Sequence, residues 1–124
     1  MDFFEDLGTA GITCPHEDAY LPNGTTVYYR KVATHPATSS DFLPNLLREA
    51  PDKCIAKAVS LFDNKPALEN IFKAPALKKK RPVKIVSVIL TPNCGKLKQT
   101  FSAGHHSFWR SAAFIPENCS PQIL

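Results

Sequence analysis

Val83-Lys84-Ile85-Val86-Ser87-Val88-Ile89-Leu90 is short, rich in β-branched residues and apolar at nearly every position. Strict alternation would mark a strand with one wet face, whereas a near-continuous apolar run of this length marks one covered on both faces. The stretch predicts a central buried strand with a sheet built around it. Downstream, Thr91-Pro92-Asn93-Cys94-Gly95 is a turn, and Lys96 to Phe101 returns from it as the second arm of a hairpin. His106 to Ile115 predicts a further strand closed by Pro116, and residues 117–124, ENCSPQIL, read as a loosely held tail.

Upstream, Leu21-Pro22-Asn23-Gly24 is a turn signal, and Thr25 to Ala33 after it is β-branched and aromatic, which predicts a strand. His35 to Asp41 reads as a loop, with Ser40 or Asp41 capping a short helix from Phe42 to Glu49. Ile55 to Phe62 predicts a strand with Val59 and Leu61 on one face and Ser60 and Phe62 on the other. Asp63 or Asn64 then caps a helix whose Leu68, Ile71 and Phe72 recur at helical spacing before Pro75. Eleven prolines keep every element short. The expected fold is α+β: a single small domain with a mainly antiparallel, twisted sheet of about five strands and one or two short helices. Residues 1–20 stand before it as an extension.

At 124 residues the chain can bury one core, and 44% hydrophobic with 21% charged residues is a globular composition. No segment approaches the ~18 uninterrupted apolar residues of a membrane span. The opening MDFFEDLGTAGI is acidic where a secretory leader would be basic, so a cytoplasmic location is expected. Cys14, Cys54, Cys94 and Cys119 form no CxxC pair, which argues against a zinc ribbon; in that location they are expected reduced and partly buried. Cys14-Pro15-His16 could offer a metal two ligands but needs distant partners, so no metal is assigned. The net charge of +4 owes much to Lys78-Lys79-Lys80-Arg81, flanked by Lys73 and Lys84. This run can attract phosphates, and through it a nucleic acid or a protein partner, but no aromatic residue interleaves it as a stacking platform.

Chemistry-bearing residues gather late. Gly104 to Ser111, GHHSFWRS, holds two of four histidines, the only tryptophan and an arginine. Adjacent strand residues face opposite ways, so only one of His105 and His106 enters any given pocket as acid or base. Trp109 with Phe108 reads as core. A two-histidine ribonuclease would instead join one of the pair to His35 or His16, with Lys or Arg stabilising the phosphorane.

An arginine on an early strand (Val27-Tyr28-Tyr29-Arg30), a strand ending in serine and followed at once by a helix (Ala58-Val59-Ser60-Leu61-Phe62), then a long apolar strand: this order resembles that of small ADP-ribosyltransferase-like and RES-type toxin domains, which bind or consume NAD. The resemblance implies that Arg30, with Tyr28 beside it, holds the cofactor's phosphates and that Ser60 shapes the nicotinamide-ribose pocket. The late catalytic glutamate of those families has no counterpart, since no acidic residue lies between Glu69 and Glu117; His105 or His106 would take its place, or the protein binds without catalysis. The chain also resembles short bacterial proteins of accessory and mobile gene regions, which implies no activity. The functional expectation is a small toxin-like or effector protein with a nucleotide cleft, NAD being its ligand or substrate. The alternatives are a non-catalytic accessory protein and the ribonuclease.

Overall fold

The computed structural model describes residues 1–32, 42, 53–64, 66–68, 84–100, 103–116 and 120–122. Its strands are β1 (Val27–Val32), β2 (Val59–Phe62), β3 (Lys84–Ile89), β4 (Gly95–Gln99), β5 (His105–Arg110) and β6 (Ser120–Gln122), with a helical turn α1 (Lys53–Ala56) before β2. They form one sheet in the order β4-β5-β2-β1-β3-β6, antiparallel throughout. This is the small α+β domain expected, with a three-residue sixth strand drawn from the segment read as a loose tail.

The turn before β1 forms for the reason its residues suggest. Asn23 Oδ1 accepts the amides of Thr25 and Thr26, both at 2.8 Å, and Gly24 takes the left-handed φ of 80° that a side chain resists. The Gly24 amide donates to the Leu90 carbonyl at 3.0 Å and sets the start of β1 against the end of β3. Those two strands then pair over their whole length, from Val27 opposite Ile89 to Val32 opposite Lys84.

Three local readings are corrected, the first being the strand expected from His106 to Ile115, which runs instead from His105 to Arg110 before the chain turns after Ser111. The strand expected from Ile55 begins only at Val59, because the preceding residues wind into α1: the Lys57 amide donates to the Cys54 carbonyl and that of Ala58 to Ile55. And β4 does not return beside β3. It pairs with β5, Gly95 opposite Arg110 through Gln99 opposite His106, and lies four places from β3 in the sheet. The reason is burial. β3 buries Ile85 on one face and Val86 on the other, though Ile89 at its end is 53% exposed, and it lies between β1 and β6, whereas β4 carries one inward apolar residue, Leu97, flanked by Lys96 and Lys98. An edge position suits that pattern.

A short connection between strands so far apart requires the sheet to curl. Leu90, just after β3, and Leu97 on β4 accordingly share one core cluster with Tyr28, Val59, Leu61, Val86 and Phe108. Phe114 closes it, its ring edge-on to Phe42 at 5.1 Å and Phe108 at 5.3 Å. The other face carries two smaller clusters, Phe62 with Leu68 and Ile85, and Trp109 with Leu7, Cys54 and Ala58. Trp109 is core as expected, 1% exposed, its indole N–H donating to the Cys54 carbonyl at 2.9 Å. Each such side chain contributes about 1.5–3 kcal/mol on burial.

Residues 1–20 are strapped to the sheet. Phe3 bridges Ser111 and Tyr20 bridges Leu97, while Cys14 is disulfide-bonded to Cys54. The expectation of reduced cysteines therefore fails for this pair. The strap lays Cys14 against α1, where Cys54 is fully buried, so the two thiols meet; Cys14 is thereby withdrawn from any metal site with His16. Cys94 carries a free thiol. Among the described residues no helix is long and apolar enough to cross a membrane. Asn64 is the cap for the turn after β2, its Oδ1 accepting the Ala67 amide at 2.8 Å. The rest of that helix, the Phe42 to Glu49 helix beyond Phe42 itself, His35 and the Lys78 to Arg81 run lie outside the described residues.

Candidate serine–histidine site

Register decides which side chains can meet. β2 and β5 pair with Ser60 opposite Ser107 and Phe62 opposite His105, so these four project from one face; Leu61 opposite His106 and Val59 opposite Phe108 project from the other. β4 brings Thr100 to the end of β5, its amide donating to the His105 carbonyl at 3.1 Å. One face of three adjacent strands thus carries three hydroxyls and an imidazole.

Their geometry is that of an oriented pair. His105 Nε2 is 3.0 Å from Ser60 Oγ. On the far side of the ring, Nδ1 lies 3.1 Å from Thr100 Oγ1 and 3.2 Å from the Thr100 carbonyl oxygen. A carbonyl can only accept, so Nδ1 carries the proton in that contact and Nε2 is left as the acceptor facing the serine hydroxyl. Thr100 Oγ1 also meets Ser107 Oγ at 2.8 Å, and the Phe62 ring stands edge-on to the imidazole at 5.1 Å. His105 is 6% exposed and Ser60 half-buried, so the hydroxyl is the wetter end of the pair.

The remaining expected site residues are on the opposite face. Arg30 Nη1 donates to the Ser60 carbonyl at 2.8 Å, and its guanidinium lies over the Phe42 ring at 5.5 Å. Tyr28 is buried with its ring 5.3 Å from that of His106. Burial, then the neighbouring Tyr20 and Asp63, raise its phenol above the ordinary value. His106 Nδ1 is buried with no hydrogen-bond partner among the described residues and lies 4.0 Å from Asp63 Oδ2. His105 and His106 thus face opposite ways, as adjacent strand residues must. Arg30, Tyr28 and His106 are brought together on one side, and Ser60 and His105 on the other.

Sequence reasoning passed over Thr100 and Ser107. The spacing of Thr100, His105 and Ser107 across the turn at Gly104 was a visible signal, since residues two apart on β5 share a face. It also passed over Glu5, which meets Arg110 105 positions away with both oxygens on Nε, at 3.0 and 3.1 Å, and one on Nη2 at 2.6 Å. Nothing local announces that partner. No family model, characterised protein or solved structure matches the chain.

Proposed function

We propose that this protein is a small hydrolase or acyltransferase, effector- or toxin-like in scale, with Ser60 as nucleophile and His105 as general base. The observation that carries this reading is the 3.0 Å approach of Ser60 Oγ to His105 Nε2 while Thr100 holds Nδ1. In the reaction Ser60 Oγ bonds to an acyl carbon and its proton passes to Nε2. The imidazolium gives that proton to the leaving group as the old bond breaks, and water repeats the sequence to release the acid. Incubation with a fluorophosphonate probe tests it. Labelling is expected at Ser60, lost in Ser60→Ala, reduced at least about 100-fold in His105→Gln and retained in His106→Gln. A wild-type chain that stays unlabelled, or labelling that survives Ser60→Ala, removes the proposal.

On the nucleotide-cleft reading implied by the toxin-domain resemblance, Arg30 meets Ser60 through that residue's main-chain carbonyl and holds a phosphate on its own face of the sheet, the face of Tyr28 and His106. On that reading Arg30 turns from the Ser60 carbonyl to a phosphate of NAD, and His106, not His105, is the histidine on its face. Titration calorimetry with NAD separates the two readings. Binding that disappears in Arg30→Ala supports the cleft, and a folded wild type that binds no NAD retires it.

A further inference from the structure

Charge along the chain is segregated, and the strap carries the minority sign. Asp2, Glu5, Asp6, Glu17 and Asp18 fall within residues 1–20, whereas no lysine or arginine occurs before Arg30. The strap's carboxylates meet cations of β4 and β5: Glu5 on Arg110, and Asp18 on Lys98 at 2.9 Å. His16 Nδ1 joins the same lysine at 2.9 Å, and the Phe4 ring stacks 3.8 Å from the Arg110 guanidinium carbon. Just past the Asp18 anchor the strap makes a one-residue bridge to the sheet. Tyr20 and Leu97 exchange both main-chain hydrogen bonds, at 2.8 and 2.9 Å, on the outer edge of β4.

We propose that residues 1–20 are an intramolecular acidic ligand, latched by Cys14–Cys54, on a β4 edge that when open accepts an acidic, extended segment of a partner protein. The strap itself defines what the edge takes: main-chain pairing at Leu97, a carboxylate for Lys98 two residues before the paired position, and a further carboxylate for Arg110. Its contact with the β4 edge is one bridge, at Tyr20, a weak strand pairing, and the disulfide offsets this by keeping the strap at high effective concentration. Opening is a thiol–disulfide exchange with a dithiol reductant: a thiolate attacks one sulfur, the second reductant thiol displaces the mixed disulfide, and the products are the Cys14 and Cys54 thiols and the reductant's own disulfide. An acidic peptide that pairs over several residues then displaces the one-residue bridge.

Hydrogen exchange on the whole chain tests the latch. On reduction by dithiothreitol, verified by alkylation of both thiols, the Leu97 amide is expected to exchange at least about ten-fold faster while the β2–β5 ladder stays protected. Unchanged exchange at Leu97, or equal loss across the ladder, overturns it, the latter by making the disulfide a global crosslink. The partner class is read with a dye-labelled synthetic peptide of residues 1–20 carrying Cys14→Ser. It is expected to bind the full-length Cys14→Ser/Asp18→Asn chain at least about ten-fold more tightly than the oxidised wild type, with the gain lost on adding Lys98→Ala. Equal binding to both chains, or tighter binding of a single-stranded oligonucleotide than of the peptide, overturns the assignment.

Discussion

Arg110 is 2% exposed, and Glu5 answers its charge with both oxygens. Burying an ion is costly, so the pair is best judged by what remains when one member is removed. Glu5→Ala leaves a buried guanidinium without the carboxylate that answers its charge, and is expected to cost about 3–5 kcal/mol in urea unfolding. Replacing both members, Glu5→Leu with Arg110→Met, is expected to cost clearly less; a double replacement as damaging as the single one would mean that the ion pair is a net contributor. Gly95, opposite Arg110, is constrained differently. Its φ is 149°, and a Cβ there would lie 2.1 Å from the Trp109 carbonyl oxygen, which is main chain and cannot swing away. Gly95→Ala is expected to lower stability by about 2 kcal/mol or more, read from the same unfolding curves.

At the scale of elements, burial on two faces made β3 recognisable, and the Asn23 and Asn64 side chains made two element starts recognisable, because each of those signals is local. What was not recognisable is partnership. Lys96-Leu97-Lys98 says that one residue points inward, but not that Phe108 rather than a residue of β3 lies opposite it. Four cysteines allow three pairings, and nothing in their spacing singles out Cys14 with Cys54. The candidate site shows the same division. Ser60, His105 and the opposed facing of the two histidines could be read from sequence, but the side on which Arg30 emerges depends on the pairing of β1 with β2, a long-range fact. The disulfide closes a separation of 40 residues across the strap and α1, so Cys54→Ser is expected to remove about 3–4 kcal/mol. Oxidised wild type and variant should differ in unfolding midpoint, and the difference should vanish in reductant.

For the whole molecule, pH dependence follows from where titrating groups sit. Burial raises the phenols of Tyr20 and Tyr28, and Asp63 adds to both. A group with a raised folded pKa lends its stability fully below the ordinary phenol pKa of about 10 and loses it as pH climbs through the folded value. The native state should therefore weaken on the alkaline side, and Tyr28→Phe should flatten that limb in pH-dependent melting. Asp18 works in the opposite sense: its hydrogen bond from Lys98 lowers its pKa, so its contribution is present above the ordinary carboxylate range and fades as acid passes the folded value. Since Asp18 is exposed, salt should erode that contribution. The curled strand order also bears on how the protein comes into being. β5 joins β4 to β2, yet it is synthesised after both, and β1 waits for β3 across nearly half the chain. A nascent chain that has made its first four strands can assemble β2-β1-β3, while β4 has no neighbour and the core residues meant to face Phe108 stay uncovered. Closure depends on a segment still inside the ribosome, so the growing chain passes through a sticky, half-built stage in which slow elongation would be a hazard and a chaperone an asset.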